Sequence, residues 1–145
     1  MDYKKLVTIV GKGGVFEILN QRPDGLIVKS LLDGKSQFAS SRLHHFTLLE
    51  NISIYTELDS EPLYDIFQVM LDKQETLPLP DTKGSTDDLK KYFEQILPGY
   101  DKERVYVSDI KKIIKWFNNL TSHGLTDILA DRKKDYDKSG NGEEE

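Results

Sequence analysis

Three short clusters in the chain carry residue types suited to chemistry. The first is Gly11, Lys12, Gly13 and Gly14, because a glycine-rich turn aims backbone amides at an anion. A phosphate loop needs GxxxxGK[ST] running into a helix, and a dinucleotide fingerprint needs GxGxxG opening one. Here the β-prone Val15, Phe16, Glu17, Ile18 and Leu19 follow, so the segment reads as a hairpin turn with Lys12 exposed at its tip. The second cluster is His44 and His45. Adjacent side chains point to opposite faces of a strand, or diverge by about 100° on a helix. With His123 distant in sequence and no cysteine in the chain, the three or four ligands of a transition-metal site are not gathered. No metal and no other cofactor is expected.

The third cluster is Asp101 and Glu103, whose spacing suits the first and third ligands of a calcium loop. Val105 then occupies the fifth position, Tyr106 the place of the required glycine, and Lys112 that of the bidentate glutamate, so the pattern fails. The stretch from Asp101 to Arg104 reads as a charged loop between two helices. Nothing resembles a nucleophile elbow, a zinc-protease helix or a kinase set, and the acids are scattered over polar stretches, without a paired acid and base. A non-catalytic protein is expected.

Composition narrows the partners. The chain has 145 residues, 20 Lys plus Arg against 25 Asp plus Glu, and a net charge of −5. That length allows one ordinary domain or two small ones. Lys and Arg number seven against six acids over residues 1–57, two against six over 58–84, seven against seven over 85–130 and four against six over 131–145. No segment has the basic excess that replaces counterions along duplex DNA, so no duplex-DNA partner is expected. No apolar run approaches the roughly 20 residues of a membrane span, and the first residues lack the apolar stretch of a secretory signal. The expectation is a cytoplasmic protein with no membrane partner.

The elements that position these residues change character midway. From Leu6 to Glu57, short apolar or alternating runs are punctuated by turn residues. Leu6–Val10 is the first run, and a second begins at Val15. Pro23, Asp24 and Gly25 turn the chain into Leu26, Ile27 and Val28, and Asp33 and Gly34 make the next hairpin. Lys35–Ser40 is a weak fourth strand, Ser41–Leu49 an irregular or single-turn helical link, and Ile52–Thr56 the fifth strand. Five strands in so few residues suit a small barrel. Beyond it, Leu63, Ile66, Phe67, Met70 and Leu71 form one helical stripe opened by Ser60 and Pro62. Leu89, Tyr92, Phe93, Ile96 and Leu97 form a second after a cap at Ser85 or Thr86, and a third runs from Ser108 through Ile110, Ile113, Ile114, Phe117 and Leu120 to a stop at Gly124. Trp116 lies at the edge of that third stripe, and Tyr55, Tyr64 and Tyr106 fall outside the core stripes as candidates for a contact surface.

The expected class is α+β: an N-terminal five-stranded small β-barrel followed by a three-helix C-terminal region. Residues 1–57 are the barrel, 58–84 a helix and a Pro/Gly linker, 85–130 the helical domain and 131–145 a disordered charged tail.

Three stretches carry a resemblance: Thr8–Ile18, Leu49–Glu57 and Tyr92–Phe117. Together they resemble an uncharacterised Bacteroidetes-type family of domains of unknown function. The likeness spans the chain apart from its tail and brings no established activity, cofactor or catalytic residue. It implies a small intracellular bacterial protein. At fold level the front half is similar to Src-homology-three-like and Tudor-like barrels. The function expected is a non-catalytic binding or adaptor module for a protein partner, contacted through barrel loops at Lys12, Arg22 and Arg42 to Phe46, with His44 and His45 among them. The alternative is RNA or ribosome association through the same barrel, motivated by its slightly basic balance beside acidic flanks.

Overall fold

The computed structural model describes residues 2–124 and Ile128. The tail expected over 131–145 and most of 125–130 lie outside the described residues. The chain divides into two compact units, one of residues up to Glu50 together with the segment from Asn119, the other from Asn51 to Asn118.

In the first unit, β1 (Leu6–Ile9), β2 (Lys12–Arg22), β3 (Gly25–Ser30), β4 (Ser36–Ser40) and β5 (Phe46–Leu48) form one antiparallel sheet in the order β4-β3-β2-β1-β5. Alternation builds its core. Val7 and Ile9 of β1, Phe16 of β2, Val28 of β3 and Ala39 of β4 are buried together, with Ile18, Leu26, Phe46 and Leu48 packed around them. The hairpin expected at Gly11–Gly14 forms, but Lys12, Gly13 and Gly14 already belong to β2, so Lys12 is a half-buried strand residue and not an exposed tip. Ile9 pairs with Lys12, so Val10 and Gly11 are the turn, and Gly11 takes φ +87°, where a Cβ is disfavoured. Gly14 is more constrained. Its φ is +84°, and a Cβ there would lie 2.8 Å from both Asn119 Oδ1 and Leu32 Cδ1. The same Asn119 Oδ1 accepts the Val15 N–H at 3.0 Å.

The sheet does not close into the expected barrel, because β4 and β5 each pair on one side only and form its two edges. It is nevertheless bent. Ser40 and Phe46 lie at opposite ends of β2 through the pairs Ser40–Gly25–Arg22 and Phe46–Ile9–Lys12. A flat sheet would separate them by roughly 19 Å across four strand spacings and by nearly the length of β2 as well. The link from Ser40 to Phe46 reaches roughly 21 Å at most. The register shift between Ile18 and Asn20 is a bulge of the kind that bends a strand.

One strand expectation is corrected. The fifth strand of the sheet is Phe46–Leu48, inside the stretch expected to be an irregular link, whereas the strand expected at Ile52–Thr56 is β6 (Ser53–Tyr55) and pairs with β7 (Ser60–Pro62) in a separate two-stranded sheet. A three-residue strand that contributes only Phe46 and Leu48 carries too little alternation to stand out from its neighbours.

The second unit holds that small sheet, two helices and a third as far as Asn118. Helix α1 (Leu63–Lys73) starts directly after β7. Ser60, expected to open the helix, is therefore a strand residue, while Pro62 ends β7 and stands directly before the helix as expected, without a side-chain cap; the Leu63 N–H donates to the Ile52 carbonyl at 2.9 Å. Helix α2 (Thr86–Ile96) has the expected cap, Ser85 Oγ accepting the Asp88 N–H at 3.1 Å. Lys73 Nζ donates to the Gln95 carbonyl at 3.1 Å near the C-terminal end of α2, where cations are favoured. Helix α3 (Val107–Thr121) starts one residue before the expected Ser108 cap. The Asp109 carboxylate accepts the Tyr106 N–H at 2.9 Å, and Val105 to Val107 join no strand. The helical stripes are buried as their spacing requires, except that Leu71 and Leu97 at their ends are half-buried: the ring centroids of Phe67 and Phe117 lie 6.1 Å apart, and Phe93 meets Tyr100 edge-on at 5.0 Å. Among the described residues no helix is long and apolar enough to cross a membrane.

Candidate functional site

The loop residues expected to carry binding fall into two groups on the first unit. Lys12 follows the β1–β2 turn, and the His45 carbonyl accepts the Val10 N–H at 3.0 Å beside it. Arg22 lies at the far end of β2. The neighbouring Asp24 carbonyl takes both the Ser41 N–H, at 2.9 Å, and the Ser41 hydroxyl, at 3.0 Å, so Arg42 belongs to the Arg22 corner. The His44 N–H is bound to the Ser40 carbonyl at 3.0 Å. Arg22, Arg42 and His45 are exposed, while Lys12 and His44 are half-buried. Lys12 and Arg22 stand at opposite ends of one strand and are not brought together.

A better-defined feature lies in the second unit, and the loop reading missed it. A cleft of about 250 Å³ runs between strand β6 and helix α3. On the helix side Asp109, Lys112, Ile113 and Trp116 recur at the spacing of one helical face. Ser53, Ile54 and Tyr55 form the strand side, and Arg104 and Val105, from the loop before the helix, complete the lining with Ile52. Ile54, Val105 and Ile113 are buried and Trp116 half-buried, so the floor is apolar.

Strand β6 contributes backbone as well as side chains. The Thr56 N–H donates to Asp59 and the Leu63 N–H to Ile52, so by antiparallel alternation Thr56, Ile54 and Ile52 turn their backbone groups toward β7. Ser53 and Tyr55 therefore turn theirs away from β7. The Tyr55 carbonyl accepts the Asp101 N–H at 2.9 Å, and beyond it Glu57 N–H meets the Gly99 carbonyl at 2.9 Å, with Thr56 bridged to Tyr100. Residues 99–101 thus cover the strand's outer edge as far as Tyr55. The Tyr55 N–H and both backbone groups of Ser53 have no protein partner among the described residues.

The loop that ends this edge also fixes a cation. Asp101 Oδ1 accepts the N–H groups of Glu103 and Arg104 at 2.9 and 3.2 Å, and Asp101 Oδ2 accepts Arg104 Nε at 2.8 Å. The Arg104 guanidinium carbon then lies 4.4 Å from the centroid of the Tyr55 ring, within cation–π range. The hydrogen bond from the Arg104 side chain, then the Glu103 amide, with the Arg104 amide and the guanidinium charge adding to them, hold the Asp101 carboxyl below the usual carboxylate range. The same bond raises the Arg104 pKa. Asp101 to Arg104, expected to be merely a charged loop, is a built turn. The terminal nitrogens of Arg104 and the ammonium of Lys112 have no ion-pair partner among the described residues. The sequence signals that point here are Tyr55, outside every core stripe, and Trp116, at the edge of its own.

The lining holds one alcohol, Ser53, and no histidine, and the Asp109 carboxylate is engaged at the start of α3. This arrangement suits binding. At about 250 Å³ the cleft falls just below the roughly 300–1,000 Å³ of small-molecule pockets. A second cleft, of about 200 Å³ near Lys90, Lys91 and Lys102, is less free, since Lys102 is paired with Glu94 at 3.3 Å.

Fold and site together define an α+β protein of two small units, and family comparison divides it at the same point. Residues 4–49 match a domain of unknown function (DUF5606) and residues 52–120 a second domain of unknown function (DUF6852). The solution NMR structure of a Bacteroides vulgatus protein, a target of the Northeast Structural Genomics Consortium, aligns with a TM-score of 0.67 and 31% identity over 85% of this chain and 88% of that one. The chain belongs to the family of that Bacteroides protein. No curated protein matches it.

Proposed function

We propose that the chain is a non-catalytic binding module that takes up an extended segment of a protein partner in the β6–α3 cleft. One observation carries this reading: the outward backbone groups of Ser53 and the Tyr55 N–H have no partner among the described residues and belong to a strand that lines an apolar groove. An added strand satisfies such groups by main-chain hydrogen bonds, while the groove floor selects side chains. The basic loops at Lys12, Arg22 and Arg42 are the competing surface, and they are also where RNA would bind. They are divided between two ends of a sheet and frame no comparable groove.

The test is to select binders from a phage-displayed library of short random peptides and to map each on the full chain by amide NMR. Binders that shift Ser53, Tyr55 and the α3 residues Lys112 to Trp116 support the proposal. Binders confined to Lys12, Arg22 and Arg42, or tight salt-dependent binding of RNA with the cleft unshifted, would overturn it.

A further inference from the structure

We infer that the segment taken by this cleft is a chain end, held by its C-terminal carboxylate under Arg104. This rests on the strand-addition reading above and adds direction and chemistry to it. The outer edge of β6 is open at Ser53 and closed beyond Tyr55, where residues 99–101 already occupy it. An added strand therefore stops beside Tyr55. At that stop stands Arg104, its Nε fixed by Asp101 and its guanidinium carbon over the Tyr55 ring, with Lys112 contributing to the same lining. Residues 51–118 carry nine Lys and Arg against thirteen Asp and Glu, whereas the cleft is lined by Arg104 and Lys112 against Asp109, with Asp101 pairing to the Arg104 Nε from outside that lining and leaving the two terminal nitrogens toward it. A chain that ends beside this cationic rim places a carboxylate there and not an ammonium.

Direction follows. With its C-terminus beside Tyr55, the segment runs parallel to β6. In a parallel ladder one guest residue, opposite Ile54, donates its N–H to the Ser53 carbonyl and accepts the Tyr55 N–H. These are available groups. The next rung would need the Tyr55 carbonyl, which Asp101 already occupies, so the guest has one residue left and its carboxylate reaches the Arg104 end. The penultimate residue makes the backbone contacts, and the last carries the charge. The free terminal nitrogens of Arg104 offer a planar pair of donors to a planar carboxylate.

The test uses the full chain and pools of short random peptides prepared in three forms: a free C-terminus, a C-terminal amide, and an amide with an internal Asp or Glu. Affinity is read by fluorescence anisotropy and placement by the Tyr55 amide resonance. The free-acid pool is expected to bind roughly tenfold to a hundredfold more tightly than the amidated pool, the range of one charged hydrogen-bonded contact. Arg104→Gln should remove that preference and Arg104→Lys keep part of it, both with the native amide spectrum retained outside the Tyr55, Asp101 and Arg104 contacts. Amidated peptides that bind equally well while shifting Tyr55 would overturn the chain-end inference and leave strand addition standing. An equal gain from internal Asp or Glu would overturn it too, in favour of acidic side chains. If no pool moves the Tyr55 or Ser53 resonances, strand addition itself fails.

Discussion

Arg104 lies over the ring of Tyr55 at 4.4 Å while its Nε is held by Asp101 at 2.8 Å, and the Asp101 amide in turn binds the Tyr55 carbonyl at 2.9 Å. The three residues close a ring of contacts on one side of the β6–α3 cleft. Arg104 thus loses side-chain freedom on folding, before any guest arrives, and preorganisation of that kind strengthens binding.

Removing the ring face should therefore loosen the cation. Tyr55→Leu is expected to weaken free-carboxylate peptides by roughly twofold to fivefold, the scale of an exposed cation–π contact, whereas Tyr55→Phe keeps the affinity. Anisotropy titration of both variants checks this. Equal affinities in the Leu and Phe variants would contradict a role for the stack.

Gly14 and Gly11 both have positive φ but differ in surroundings. Gly14→Ala sets a Cβ against Asn119 and Leu32 and is expected to cost about 2–4 kcal/mol, combining left-handed strain with overpacking. Gly11→Ala meets open space and should cost only about 1–2 kcal/mol. Urea denaturation of the two variants measures the difference, and equal losses would refute the close approach at Gly14.

At alkaline pH the telling group is Tyr92, whose hydroxyl burial pushes up to about 12 from an ordinary value of 10. The unfolded chain loses this proton first, so stability falls as pH rises between those values. Tyr92→Phe should flatten that fall. Thermal melts across the alkaline range decide it, and parallel pH curves for the two proteins would show that Tyr92 is not responsible.

Glu61 gives a second pH dependence. Burial, and then the hydrogen bond and charge of Asp65, raise its pKa above 4.5. A carboxyl raised on folding supports the fold while protonated in both states, and that support is lost as pH rises through its folded value. Glu61→Gln should accordingly raise the melting temperature by a few degrees at most near neutrality, with the gain vanishing below the ordinary carboxylate value. A gain that persists in acid would mean another cause.

Much of the fold was legible because long stripes announce themselves. Leu89, Tyr92, Phe93 and Ile96 are buried in α2, and Ile110, Ile113, Ile114 and Phe117 in α3, as their spacing requires. The short strands were less so: Phe46–Leu48 offers two inward side chains, and Ser60–Pro62 mimics a helix start while pairing with Ser53–Tyr55. Closure of the sheet was not readable, since it depends on pairing between edges and not on any residue's type. The cleft was illegible for a related reason. Its value lies in backbone groups of Ser53 and Tyr55 left unpaired by a loop more than forty residues downstream, and Arg104 looks like any loop charge until Asp101 and Tyr55 are seen around it. Only exposed Tyr55 and half-buried Trp116 hinted at it.

The most direct measurement is amide hydrogen exchange at Tyr55 and Ser53 in the full chain, with and without a bound free-carboxylate peptide. Both amides are expected to exchange freely in the unbound protein and to slow together on binding, with Thr56, already bonded to the Asp59 carbonyl, little changed. Tight binding that leaves Tyr55 and Ser53 exchanging as before would contradict strand addition in this cleft.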